Sequence, residues 1–115
     1  MNFKWGIFVA DLNPVRGSEQ KGSRLVLVIS DEDFNKPMPV VTVLPMTSLK
    51  EGRRVYPNEV LFKKSIIAEL DADSIVLAHQ IRTIAKSRLK KFVGSVMDKL
   101  LREAVNEALR VHLNL

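Results

Sequence analysis

Six short apolar runs rich in β-branched residues, at 3–10, 25–30, 40–44, 59–62, 74–77 and 89–93, precede a single change of hydrophobic period near residue 96. Runs this short, bounded by turn-forming and charged residues, read as strands, and six in succession predict a small, strongly bent sheet or barrel. Pro37 and Pro39 mark entry to the third run, because proline has no N–H to give a ladder. Beyond it, Val96, Met97, Leu100, Leu101, Ala104, Val105, Ala108 and Leu109 recur at three- and four-residue steps, which predicts an amphipathic helix over 96–113. Gly94 is expected to stop the preceding strand, and Ser95 with Asp98 three residues on reads as a capping box. The predicted class is mainly β, with a C-terminal helix covering the open side of the sheet.

With 115 residues the chain is expected to form one domain, 1–115, with a single core. It contains no cysteine, which excludes a disulfide scaffold and a cysteine nucleophile. His79 and His112 are far apart and lack helix-spaced acidic neighbours, so neither a metal nor another cofactor is expected. The N-terminus lacks the pattern of a secretory signal, and no run approaches the roughly twenty apolar residues of a membrane span. A cytoplasmic protein without membrane association follows as the expectation. A net charge of +5 favours an acidic partner, either nucleic acid or an acidic protein segment.

The stretch 13–24, "NPVRGSEQKGSR", sits between the first two apolar runs. Arg16, Gly17, Ser18, Glu19, Gln20, Lys21, Gly22, Ser23 and Arg24 supply cations, hydroxyls and glycine N–H groups, the parts of a phosphate or sugar-phosphate site. Composition alone favours a solvated hairpin, but Arg24 abuts the run "LVLVIS", where a strand can hold a guanidinium rigidly. Thr47 and Ser48 close the third strand, and a hydroxyl at a strand end beside a fixed arginine is what a phosphoryl anion needs. A third polar stretch, "LAHQIRT", follows the fifth run. The expectation is that these three strand ends form one pocket, and that 47–57 is a mobile basic loop whose Lys50, Arg53 and Arg54 track a nucleic-acid backbone.

In order and spacing, "FVADLNPVRGSEQKGSR", "VVTVLPMTS" and "DSIVLAHQIRTIAKSRL" closely resemble the MazF/PemK (Kid-like) toxins of bacterial toxin–antitoxin systems, over nearly the whole chain. That resemblance implies an SH3-like β-barrel with a C-terminal helix, a homodimer, and a metal-independent endoribonuclease. It further implies cleavage of single-stranded mRNA to a 2′,3′-cyclic phosphate and a 5′-hydroxyl. A cognate antitoxin with an acidic, disordered segment, which binds DNA together with the toxin, is implied as well. Carried over by motif, the catalytic pair is Arg24 of "GSR" and Thr47 of "PMTS". Leu25 stands where many members have proline, and "KWGIF" replaces the common "RGDI" or "RGEI" entry.

A guanidinium and a hydroxyl suit this chemistry because negative charge builds on the non-bridging phosphate oxygens as the ribose 2′-oxygen attacks. Two candidates stand for the general base: His79, whose imidazole class titrates near neutrality, and Glu19. Gln80 is expected to read base edges. Arg82 and Thr83 fit either the pocket or a buried scaffold in which Arg82 pairs with an acid. Two other functions compete: a CcdB-like gyrase-binding toxin and a non-catalytic RNA-binding module. The gyrase-binding branch relies on Trp-Gly-Ile at the end of its last helix, whereas this chain ends "RVHLNL" and carries that triplet only at Trp5, Gly6 and Ile7.

Overall fold

The computed structural model describes every residue except Met1, Pro14, Val15, Ser18, Gln20 and Lys21. Its strands are β1 (Gly6–Asp11), β2 (Ser23–Val28), β3 (Val40–Ser48), β4 (Glu59–Phe62), β5 (Ser74–Leu77), β6 (Arg82–Ala85) and β7 (Leu89–Ser95). Two helices, α1 (Glu32–Asn35) and α2 (Lys99–Leu113), and 3₁₀ turns at Ala78–Gln80 and Lys86–Arg88 complete it. The antiparallel order is β4-β5-β3-β2-β1-β7, with β6 on β3. This is the mainly β class with a C-terminal helix that the sequence predicted. The hydrogen-bonded path is open, with β4 and β7 at its ends, so the sheet curls without closing.

Strand β3 is the pivot. One edge pairs with β2, while the other pairs first with β6 from Val40 to Val43 and then with β5 from Met46 to Ser48. Pro45, which has no N–H to offer, falls at the changeover between those two ladders. Side chains alternate across the sheet as a period of two requires. Ile7, Leu27, Leu44 and Met46 join one core with Val105 and Ala108 of α2, while Phe8, Val26, Val28, Val41 and Val43 join a second with Ile84 of β6.

Several boundaries differ from expectation. The first strand begins at Gly6 because Trp5 takes φ 65°, a left-handed conformation that ends an extended run. Trp5 also donates to the Val28 carbonyl (2.8 Å) and accepts from Val96 N–H (2.9 Å), joining β1, β2 and the approach to α2. The unforeseen α1 is four residues long, capped by Asp31, whose side chain accepts from Asp33 N–H. Burial works against ionisation of Glu32, but the N–H groups of Lys4 and Phe3 and the Asn35 amide hold its carboxyl below the usual range.

Gly94 does not stop β7; it lies within it, packed against Glu69, where a Cβ would come within 3.2 Å of that side chain. Helix α2 starts at Lys99, and Asp98 rather than Ser95 is its N-cap, accepting from Leu101 N–H at 3.0 Å. Met97 and Leu100, assigned to the buried face by their spacing, are 76% and 82% exposed. The covering face is Leu101, Ala104, Val105, Ala108 and Leu109. Among the described residues, no helix is long and apolar enough to cross a membrane.

Candidate active site

The β2–β3 ladder stops at Val26↔Pro45, although β2 reaches back to Ser23 and β3 runs on to Ser48. Each strand is held from behind: Ser23, Arg24 and Leu25 pair with β1, and Met46, Thr47 and Ser48 pair with β5. The two strands therefore part, and a pocket of about 140 Å³ opens there, lined by Ser23, Arg24, Leu25, Met46, Thr47, Ser48 and Ser74. Continuing the ladder's register two residues beyond Val26↔Pro45 sets Arg24 opposite Thr47. Arg24 lies inside β2 rather than beside it, and Thr47 lies inside β3 rather than in the loop. No carboxylate is among the described lining residues, so one cation and several hydroxyls border a space sized for an anion. Ser74 escaped the sequence reading; its hydroxyl donates to the Ala72 carbonyl at 3.0 Å.

The stem of the 13–22 loop is braced by the "QIRTIAKSR" element. Arg82 donates to the Leu12 carbonyl at 3.3 Å, and Arg88 donates to the carbonyls of Asp11 and Asn13. Arg82 is thus scaffold, but its partner is a backbone carbonyl rather than the acid expected. Within the loop, Arg16 N–H donates to the Glu19 carboxylate at 2.7 Å, and Gly22 N–H donates to the Asn13 side chain at 3.1 Å. Gly17 and Gly22 take φ 58° and 75°, so their service is to the turn. Ser18, Gln20 and Lys21, assigned to RNA binding from the sequence, lie outside the described residues.

The third polar element does not join this pocket. His79 and Gln80 sit on the 3₁₀ turn after β5, and neither is among the pocket's described lining residues. His79 Nε2 lies 2.8 Å from Oε2 of Glu59, and because a carboxylate only accepts, Nε2 carries the proton. The same carboxylate takes both Nη groups of Arg53 at 2.9 and 2.8 Å and Tyr56 N–H at 3.1 Å. The Glu59 side chain is 2% exposed, yet the Arg53 fork, aided by His79 and Tyr56 N–H, outweighs burial and pulls its carboxyl down to about 2. Arg53 is raised in turn, first by its hydrogen bonds to Glu59.

Arg53 was expected in a mobile loop free to track nucleic acid. Strands β3 and β4 both pair antiparallel with β5, so the 49–58 connection crosses back over the sheet, and Arg53 fastens it to the first residue of β4. Lys50 and Arg54 remain exposed there, with Arg54 5.7 Å from the Tyr56 ring centroid. Among the described residues, no three His, Cys, Asp or Glu gather as metal ligands would.

The fold is a curled antiparallel sheet with one covering helix, and it carries an arginine–hydroxyl pocket where two strands part. A family model described as "PemK-like, MazF-like toxin of type II toxin-antitoxin system" matches residues 4–113. Over 109 residues the chain is 40% identical to endoribonuclease MazF of Staphylococcus saprophyticus, which spans 95% of this chain and 88% of that protein. A mycobacterial endoribonuclease solved with its cognate antitoxin has the same fold, with a TM-score of 0.80 at 23% identity, covering 100% of this chain and 97% of that one. MazF of Deinococcus radiodurans gives 0.79 at 24% identity, covering 97% and 96%. The chain belongs to the PemK-like, MazF-like toxins of type II toxin–antitoxin systems.

Proposed function

We infer that this toxin is an endoribonuclease that seats the scissile phosphate of single-stranded RNA between Arg24 and Thr47. The supporting observation is the parting of β2 and β3, which brings a guanidinium and a hydroxyl to facing strands around an anion-sized pocket. The ribose 2′-oxygen attacks the adjacent phosphorus as its proton leaves, the bond to the 5′-oxygen breaks, that oxygen takes a proton from water, and a 2′,3′-cyclic phosphate and a 5′-hydroxyl result. Arg24 and Thr47 stabilise charge on the non-bridging oxygens; a guanidinium is a fixed cation and a poor proton donor.

Glu19 and His79 are the two candidates for the acceptor of the 2′-hydroxyl proton, and neither is among the pocket's described lining residues. Nε2 of His79 donates to Glu59, so Nδ1 would be its accepting atom. Arg16, Gly17, Ser23, Ser48, Lys50 and Arg54 are assigned to RNA contact, together with Ser18, Gln20 and Lys21 of the same loop. Gln80 is assigned to a base edge. The whole chain, 1–115, acts as one toxin domain, as a homodimer in the cytoplasm. An antitoxin with an acidic, disordered segment occludes the pocket between Arg24 and Thr47; its model is the antitoxin seen in the mycobacterial complex and in the MazE–MazF complex of Deinococcus radiodurans.

Incubating the protein with a long single-stranded RNA in EDTA, and mapping the new ends, tests this reading. Cleavage at a short recurring sequence with 5′-hydroxyl ends is expected, and Arg24→Ala and Thr47→Ala should abolish it. Intact RNA at high protein concentration, or cleavage unaffected by both substitutions, would refute it.

A further inference from the structure

The chain's two histidines, far apart in the sequence, meet in the fold. His79 sits on the 3₁₀ turn after β5 and His112 in the last turn of α2, and α2 packs against both that turn and β4. The ring centroids are 6.3 Å apart, with the ring planes inclined at 63°. Two imidazoles that share one zinc ion, each bound at about 2.1 Å through a ring nitrogen, have centroids no farther apart than about 6.5 Å. The pair already stands within that limit, and His112, exposed at the helix end, is free to close in further.

We propose that His79 and His112 form a two-histidine site for a borderline transition-metal ion of the zinc class, which ties the last turn of α2 to the turn after β5. Nε2 of His79 donates to the buried Glu59 carboxylate, which fixes the tautomer and leaves a lone pair on Nδ1. A metal-ligating histidine is ordinarily supported in this way, because a carboxylate on the other ring N–H orients the imidazole and raises its basicity. Glu59 is anchored in turn by the Arg53 guanidinium and Tyr56 N–H, so the supporting group is itself fixed. Nδ1 of His112 lies 3.4 Å from the Asn58 side-chain amide, at the long end of hydrogen bonding. Turned end for end, that amide accepts from Nδ1, and His112 then offers Nε2 to the ion. The C-terminal end of α2 carries the negative pole of the helix dipole, which favours a cation beside His112. Neutral imidazoles suit Zn²⁺, Ni²⁺ or Cu²⁺, whereas Mg²⁺ and Ca²⁺ seek oxygen. Water completes the coordination, so the ion is exchangeable.

The test uses the full chain without an affinity tag, stripped with EDTA, exchanged into a non-chelating buffer and isotopically labelled at nitrogen. Zn²⁺ should saturate at one ion per chain and shift one ring nitrogen of each histidine in long-range proton–nitrogen spectra, where the chain's two histidines are the whole imidazole set. At saturation it should raise the melting temperature by about 3 °C or more, and Mg²⁺ at the same concentration should not. His112→Ala removes an exposed side chain, so its metal-free melting temperature should match wild type, while its Zn²⁺ affinity should fall at least about tenfold and most of the thermal shift should disappear. A response from neither histidine or from one alone would overturn the site. Zn²⁺ affinity unchanged in His112→Ala, or equal stabilisation by Mg²⁺, would overturn it as well.

Discussion

The parted strands and the Glu59 junction are both built around an arginine at a sheet boundary, and they differ in what surrounds it. At Glu59, the Arg53 guanidinium, the His79 imidazole and a backbone N–H converge on one buried carboxylate, and its hydrogen-bonding capacity is used up inside the protein. In the pocket, Arg24 is exposed and borders an open space together with the hydroxyls of Ser23, Thr47, Ser48 and Ser74. A cation with a buried acid beside it holds structure, whereas a cation facing hydroxyls around an open space is suited to an incoming anion. Arg53 and Arg24 look alike in the sequence; in the fold one is clasped to a buried carboxylate and the other borders an open pocket.

Breaking that contrast from the pocket side should have the largest effect. Arg24→Ala is expected to lower the cleavage rate by about a hundred- to thousand-fold, the loss typical of one preorganised donor, while shifting the melting temperature little. Thr47→Val, which removes the hydroxyl but keeps the β-branched shape, should cost rate in the same range and equally little stability. Single-turnover kinetics alongside thermal melts checks both.

On the junction side the effect moves from rate to stability. The Glu59 carboxyl has an ordinary value of 4.5 and is held at about 2 in the fold, so its contribution is fully present above pH 4.5 and drains away as the pH falls toward 2. The depression corresponds to on the order of 3 kcal/mol. Glu59→Gln should remove most of that acid sensitivity while lowering stability at neutral pH, as read by denaturant unfolding across pH 2 to 7. An unchanged acid profile in the variant would assign the transition to other carboxylates.

The base assignment sharpens the contrast further. Of Glu19→Gln and His79→Gln, the one that removes the base should slow cleavage by about a hundredfold or more and the other should leave the rate within about threefold of wild type, while His79→Gln also lowers stability by about 1 kcal/mol through Glu59. The smallest effect belongs to neither region: Asp98→Ala should cost about 1 kcal/mol through the lost cap of α2, measured by thermal unfolding.

Legibility in the sequence followed the range of the interactions. Strands β4 and β5 match their expected bounds residue for residue because short apolar runs declare themselves locally. Strand β6 has one buried residue, Ile84, between exposed and half-buried neighbours, too little for a pattern. Met97 and Leu100 kept the helical spacing but fall where the covering face has not yet reached the sheet. Arg24 and Thr47 were legible as candidates from their places at strand ends. Glu59 was not, because its partners lie 6 and 20 residues away and only the crossover of 49–58 and the turn after β5 bring them together. Ser74 was missed for the same reason, since it reaches the pocket through β5 pairing with β3.

The most direct measurement pairs two readings on Arg24→Ala: its single-turnover cleavage rate, and its affinity for the same RNA carrying a 2′-deoxy sugar at the cut. A phosphate-stabilising role predicts a rate loss of about a hundredfold or more with affinity within about threefold of wild type. Equal losses in rate and affinity would contradict it, and the pocket between β2 and β3 would then be a surface that only holds RNA.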